Sequence, residues 1–207
     1  MTTSDSPLSP AFELSEAARA ALNVQYGLIL VSGEAGSGKT TTLNLFRDAF
    51  NKKLGDRAAM SLDFKGNGFG KDFLHFSFPA FGPELYEGAT RKEQVNQWGN
   101  GIFRTLTIPN PWVVVIDDMP EDFFNTAINM ALTGSIVVAS MNAASAEDAL
   151  NKYSKVIDPA GGRGNYLLKM ATEASIWQEM SQDPETGQPV MKSYGIDVSK
   201  DQSHQYF

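Results

Sequence analysis

Gly33-Glu34-Ala35-Gly36-Ser37-Gly38-Lys39-Thr40 decides the reading of this chain. The stretch matches the phosphate-binding loop pattern G-x-x-x-x-G-K-[ST] at every position. Its flanks agree with it. The apolar run Gly27-Leu28-Ile29-Leu30-Val31-Ser32 precedes it and reads as a buried strand, and Thr41 to Phe50 reads as the start of a helix. Strand, glycine loop and helix is the setting in which the pattern has a physical meaning. Gly33, Gly36 and Gly38 let the backbone curl so that successive N–H groups converge. The helix beginning near Lys39 adds its unpaired N–H groups and the positive end of its dipole. Gly33, Glu34, Ala35, Gly36, Ser37, Gly38, Lys39, Thr40 and Thr41 are therefore the candidate nucleotide-binding residues. Lys39 is expected to reach the β- and γ-phosphates of ATP, and the Thr40 hydroxyl to ligate Mg²⁺.

A second acidic element follows downstream. Val113-Val114-Val115-Ile116-Asp117-Asp118 is an apolar strand ending in two carboxylates, the Walker B form. In an open parallel sheet, ligands sit off the carboxyl ends of the strands, where these acids fall. Asp117 is the expected Mg²⁺ ligand, with Thr40. Asp118 is the candidate to orient or deprotonate an attacking water. The next apolar strand, Ile136 to Ala139, runs into Ser140-Met141-Asn142. Asn142 is the first candidate to sense the γ-phosphate, and Ser140 the second. Asp63, at another strand end, is equally readable as a further site carboxylate or a solvated acid. His75 lies among Phe73, Phe76 and Phe78 and reads as packed between aromatics, while His204 falls in a polar tail.

Composition sets the outer limits. The chain has 207 residues, 42% hydrophobic and 20% charged, as expected of one globular domain. Its net charge is −7, from 17 basic and 24 acidic residues. That balance and the lack of any Lys/Arg cluster argue against a broad nucleic-acid surface. There is no cysteine, hence no disulfide and no thiolate metal site. No apolar run reaches the roughly 18 residues of a membrane span. Residues 1–11 read as a flexible start without a signal peptide's basic and apolar regions, 12–198 as the ATPase domain, and 199–207 as a polar tail. The expected location is cytoplasmic.

Between these landmarks, helices are expected over Phe12–Leu22, Thr40–Lys53, Arg91–Leu106, Pro120–Leu132, Ser145–Tyr153 and Tyr166–Met180. Strands are expected over Leu28–Val31, Ala58–Phe64, part of Phe73–Phe81, Trp112–Ile116, Ser135–Ser140 and Val190–Val198. Loops are expected over Lys65–Lys71 and Asp158–Asn165. Strands alternating with helices predict an α/β fold with a mostly parallel central sheet flanked by helices.

Two longer segments carry a family resemblance. Ile102 to Leu106, then Asn110-Pro111-Trp112 into Asp117-Asp118-Met119, resembles the approach to Walker B in the type II/type IV secretion ATPases, the PilT/GspE-like P-loop motors. Ala127 to Asn142, with Thr133-Gly134 before the strand, resembles that family's run to its His box. Ser145 to Leu150 is similar to the small helix that follows, and Gln188 to Ile196 to a late strand. The resemblance implies a P-loop NTPase of the RecA-like ASCE type, in a short form without the family's N-terminal domain. It implies a hexameric ring built from copies of this chain, attached at the inner membrane to a pilus, secretion or conjugation complex. It also shows departures. The family's Walker B glutamate falls on Asp118. Its His-box histidine falls on Asn142, which cannot act as an acid or base. Its run of acids near Asp63 is missing. Arg91 and Arg104 are the candidates for arginines that reach a neighbour's nucleotide. Three other readings stand beside this one: an AAA+ or helicase-loader-like ATPase, a small-molecule kinase, and a subunit that binds nucleotide but hydrolyses it weakly.

Overall fold

The computed structural model describes residues 11–54, 59–64, 74–78, 88–106, 113–157 and 163–198. Eight strands form one sheet: β1 (Ala11–Glu13), β2 (Gly27–Ser32), β3 (Ala59–Asp63), β4 (Leu74–Ser77), β5 (Val113–Asp117), β6 (Ile136–Met141), β7 (Thr172–Gln182) and β8 (Pro189–Asp197). Their order across the sheet is β1-β8-β7-β2-β6-β5-β3-β4. Every neighbouring pair is parallel except β7 and β8, which form an antiparallel hairpin. The helices are α1 (Glu16–Ala21), α2 (Lys39–Leu54), α3 (Arg91–Leu106), α4 (Phe124–Leu132), α5 (Ala146–Ile157) and α6 (Arg163–Ala171).

The central strands are continuously apolar because both of their faces are covered. Alternation then sorts their side chains into two cores. Leu28 and Leu30 of β2, Val114 and Ile116 of β5, and Val137 and Ala139 of β6 face one way and pack with Trp98, Phe124, Leu150 and Leu168 of the helices. Ile29 and Val31, Val113 and Val115, and Ile136 and Val138 face the other way, onto Ala18 and Ala21 of α1 and Leu43, Phe46 and Phe50 of α2. The result is a three-layer α/β/α sandwich. Strand β6 lies between β2 and β5, the insertion that defines the ASCE arrangement anticipated from the resemblance.

Local chemistry explains two of the helix starts. Ser15 caps α1, its hydroxyl accepting the Ala18 N–H at 3.2 Å. Ser145 caps α5 and accepts the Asp148 N–H at 3.0 Å, while the Asp148 carboxylate accepts the Ala144 N–H at 2.9 Å. The Ser145–Asp148 bond is the first half of the shortened capping box expected from the sequence, while the Asp148 carboxylate reaches one residue past the cap, to Ala144. Phe64 and Phe78 pack edge-on against Trp98, with centroids 5.0 and 5.5 Å away, so these two members of the Phe-rich stretch belong to the core.

Several expectations are corrected. The helix expected over Phe12–Leu22 is split: Ala11–Glu13 pairs in parallel with β8, and the helix begins only after the Ser15 cap. The helix expected over Pro120–Leu132 starts with a 3-10 turn at Glu121–Phe123. Arg163 already begins a helix, so the expected glycine loop does not extend to Asn165. The largest correction is Tyr166–Met180. Helix α6 stops at Ala171 and the chain passes directly into the long strand β7. The expectations for Met1–Pro10, Gly55, 65–71, 158–162 and 199–207 lie outside the described residues, as do the side chains of His75 and Arg104.

Candidate phosphate-binding site

Strand β2 delivers the chain to the glycine loop. The Ser32 hydroxyl at its end donates to the Ile176 carbonyl of β7 at 3.2 Å. Glycine is required next, because a Cβ on Gly33 would stand 2.4 Å from the Gln178 carbonyl and 2.5 Å from Ser37 Oγ. Gly38 is required at the other end: its φ is +86°, and a Cβ there would meet Met191 Sδ at 2.4 Å. Between them the loop closes with Ser37 N–H donating to the Glu34 carbonyl at 3.2 Å. Lys39 opens α2 and arches back, its ammonium donating to the carbonyls of Gly33 at 3.0 Å and Glu34 at 2.7 Å. That ammonium is thus held over the loop it is expected to serve.

The acidic strand end meets the loop across β6. Thr40 Oγ1 donates to Asp117 Oδ2 at 3.2 Å. Ser140 Oγ, buried on β6, donates to the other oxygen, Asp117 Oδ1, at 2.7 Å and accepts the Asp118 N–H at 2.8 Å. Asp118 has a φ of 51°, the one non-glycine residue with positive φ among those described. Left-handed backbone at a carboxylate is tolerated by aspartate and recurs at functional sites. Asp63 is in register with Asp117 and fully buried, so it is not a solvated strand end.

These pieces enclose one cavity of about 320 Å³, lined by Ala35, Gly36, Gly38, Lys39, Thr40, Asp117, Asp118 and Asn142. Asn142 is exposed just beyond β6, its backbone carbonyl accepting from Lys152 at 3.2 Å. Glu34 and Ser37, with Ala35 and Gly36 again, line a neighbouring hollow of about 340 Å³ against Trp177 to Met180 of β7. Gly33 is buried at the base of the loop, and Thr41 is exposed on α2 outside the cavity lining. Asp63 is likewise outside it. Arg91 stacks its guanidinium over the Phe78 ring at 5.9 Å, away from this lining.

The donor set suits magnesium. Thr40 and Asp117 offer a hydroxyl and a carboxylate side by side, both hard oxygen ligands. No cluster of three or more His, Asp or Glu side chains stands ready for a metal among the described residues. Mg²⁺ needs none, since it keeps several waters and is held by one or two protein oxygens plus substrate phosphates.

One residue beside the loop escaped the sequence reading. Gln178 on β7 is fully buried. Its Nε2 donates to the Ser37 carbonyl at 2.6 Å and its Oε1 accepts the Thr42 hydroxyl at 2.7 Å. Reading Tyr166–Met180 as a helix hid it. A strand reading with period two would have placed Gln178 on the same face as Ile176 and Ala174, a polar side chain at a core position.

Solved structures of similar fold include the pilus retraction motor PilT with bound ADP, at 17% identity and a TM-score of 0.67, covering 93% of this chain and 54% of that one. The ATPase DotB of Legionella pneumophila is 14% identical with a TM-score of 0.63, covering 93% and 53%. The VirB11 ATPase of the Brucella suis type IV secretion system, solved with sulphate, is 18% identical with a TM-score of 0.55, covering 88% and 53%. The chain thus spans about half the length of these structures, and at such identities the likeness establishes the fold: a P-loop NTPase fold shared with pilus and secretion ATPases. No curated protein matches the chain. The family model described as the AAA domain matches residues 23–133, more than half of the sequence, from before β2 to the end of α4. The chain belongs to the AAA domain family.

Proposed function

We propose that this chain binds Mg·ATP in the Gly33–Thr40 loop and hydrolyses it, as the motor domain of an oligomeric ring of the pilus and secretion type. The observation that carries the reading is the single cavity lined by glycine-loop residues, Lys39, Thr40, Asp117, Asp118 and Asn142. Loop amides and Lys39 hold the phosphates. Thr40 and Asp117, the Walker A hydroxyl and Walker B carboxylate, hold Mg²⁺, which when bound neutralises charge on the β- and γ-phosphates. Asp118 orients the attacking water and takes its proton, and Asn142 aligns that water with the γ-phosphorus by hydrogen bonding. Ser140 keeps Asp117 aimed by occupying its second oxygen. Hydrolysis is coupled to movement between neighbouring copies in a hexameric ring, docked at the cytoplasmic side of a membrane complex.

A second reading has its own support. The AAA-domain match supports an AAA+ ATPase, and a helicase-loader-like protein acting on nucleic-acid machinery is one form this would take. A third, a nucleotide-binding subunit with weak hydrolysis, is favoured by Asp118 and Asn142 standing where the secretion motors carry Glu and His. Light scattering at high protein concentration, with and without a nonhydrolysable ATP analogue, tests the ring. A ring-sized species with the analogue is expected, and a strict monomer contradicts the motor. Turnover stimulated by DNA would favour the second reading, and analogue binding without measurable turnover the third.

A further inference from the structure

Gln178 is a fully buried polar side chain beside the glycine loop that the chemistry above leaves without a role. It lies on β7, beside the loop strand β2 and on the side opposite the acidic strand end. Burying an amide costs free energy unless both of its halves are paired. Here both are, and both partners belong to the glycine loop and its helix: the Ser37 carbonyl at 2.6 Å and the Thr42 hydroxyl at 2.7 Å. The partners fix the amide's orientation. A carbonyl oxygen only accepts, so Nε2 faces Ser37, and the Thr42 hydroxyl then donates to Oε1. Met191 of β8 backs the same corner, its Sδ 3.0 Å from Gln178 Nε2 and in contact with Gly38. The Gln178 backbone carbonyl sits against Gly33.

The direction of the Ser37–Gly38 peptide follows. A trans peptide points its C=O and its N–H in opposite directions. With the Ser37 carbonyl drawn toward β7, the Gly38 N–H turns away from β7. Gly38 lines the cavity shared with Lys39, Thr40 and Asp117, whereas Gln178 lines the neighbouring hollow against β7. We infer that Gln178 is a positioning residue for the nucleotide's phosphates: by holding the Ser37 carbonyl it aims the Gly38 amide into the phosphate cavity, and by holding Thr42 it locks that peptide to α2. The inference rests on the nucleotide-binding reading proposed above. Gln178 acts through the loop backbone and touches no reacting atom.

The test is calorimetric binding of Mg·ADP to the full chain, comparing wild type, Lys39→Ala, Gln178→Leu, Thr42→Val and Gln178→Glu. Gln178→Leu is expected to weaken binding about tenfold, and Thr42→Val a few-fold. Gln178→Glu is the decisive variant. An ionised carboxylate offers the Ser37 carbonyl only acceptors, but a protonated one donates as the amide does. Its affinity relative to wild type should therefore recover as pH falls from about 8 to about 5.5, while the Gln178→Leu ratio stays low. Glu34 and Glu179 around the hollow and Lys39 on the loop are common to wild type and the Gln178 variants, so their effects cancel in the ratio. If wild type binds nucleotide and Lys39→Ala does not, yet Gln178→Leu and Gln178→Glu match wild type at every pH, the positioning role is overturned alone. If wild type does not bind, the nucleotide reading falls with it. Should Gln178→Leu fail to fold by circular dichroism, Thr42→Val and the Gln178→Glu pH profile still decide.

Discussion

Ser140 and Asp117 are joined by a buried hydrogen bond of 2.7 Å, and the same Ser140 hydroxyl accepts the Asp118 N–H at 2.8 Å. One hydroxyl on β6 thus fixes both acids of the β5 end. Ser140→Ala leaves a buried carboxylate oxygen and a partly buried N–H without this partner. It is expected to cost about 1–3 kcal/mol in urea unfolding and to lower ATP turnover along with it. An unchanged turnover would mean that Asp117 does not depend on Ser140 for its position.

Asp118 separates chemistry from backbone. Asn accepts left-handed φ about as readily as Asp, so Asp118→Asn should retain stability while losing the proton acceptor. Steady-state turnover is expected to fall by about 100-fold or more, the usual contribution of a positioned base. Turnover near the wild-type rate would remove Asp118 from the catalytic role.

The two glycines of α3 should respond oppositely to alanine. At Gly99 a Cβ would meet the Phe123 ring at 2.8 Å and Thr126 Oγ1 at 2.9 Å, whereas at Gly101 nothing lies within 4 Å among the described residues. Alanine gains about 1 kcal/mol of helix propensity at either site. Overpacking at Gly99 costs about 1–3 kcal/mol and outweighs it. Thermal melts should therefore show Gly101→Ala above wild type and Gly99→Ala below it.

Glu173 makes stability depend on pH. Burial, and then the nearby Asp197 carboxylate, push its carboxyl above the ordinary glutamate range. The folded state therefore holds this proton more tightly than the unfolded state. The contribution is fully present below the unfolded value and is lost as pH rises through the raised folded value. Glu173→Gln should raise the melting temperature at neutral pH, with the gain shrinking toward zero near pH 4. A gain that persists unchanged in acid would assign the effect to something other than this proton.

The sequence made the β2–loop–α2 unit legible because the motif, the apolar strand and the helix each point the same way. Strands β5 and β6 were equally plain, being β-branched runs buried on both faces. The hairpin beyond α6 was harder. From Asn165 to Asp183 there is no glycine or proline, so nothing marks the passage from Ala171 into β7. Reading that stretch as one helix also concealed Gln178, whose meaning depends on a strand beside the loop. Ala11–Glu13 is a three-residue edge strand whose only described pairing is to the distant β8, and no local pattern announces such a partner. Ser140 was visible as a strand-end hydroxyl, but its bonds to Asp117 and Asp118 depend on the register of β6 against β5.

Lys39, Thr40 and Asp117 are proposed to form one Mg·ATP hydrolysis site. Steady-state phosphate release from Mg·ATP, by wild type and by Lys39→Ala at equal concentration, tests it most directly. Measurable turnover that needs Mg²⁺ is expected, falling by about 100-fold or more in the variant, the scale of losing one charge-stabilising contact in the transition state. Equal rates for the two proteins would contradict it.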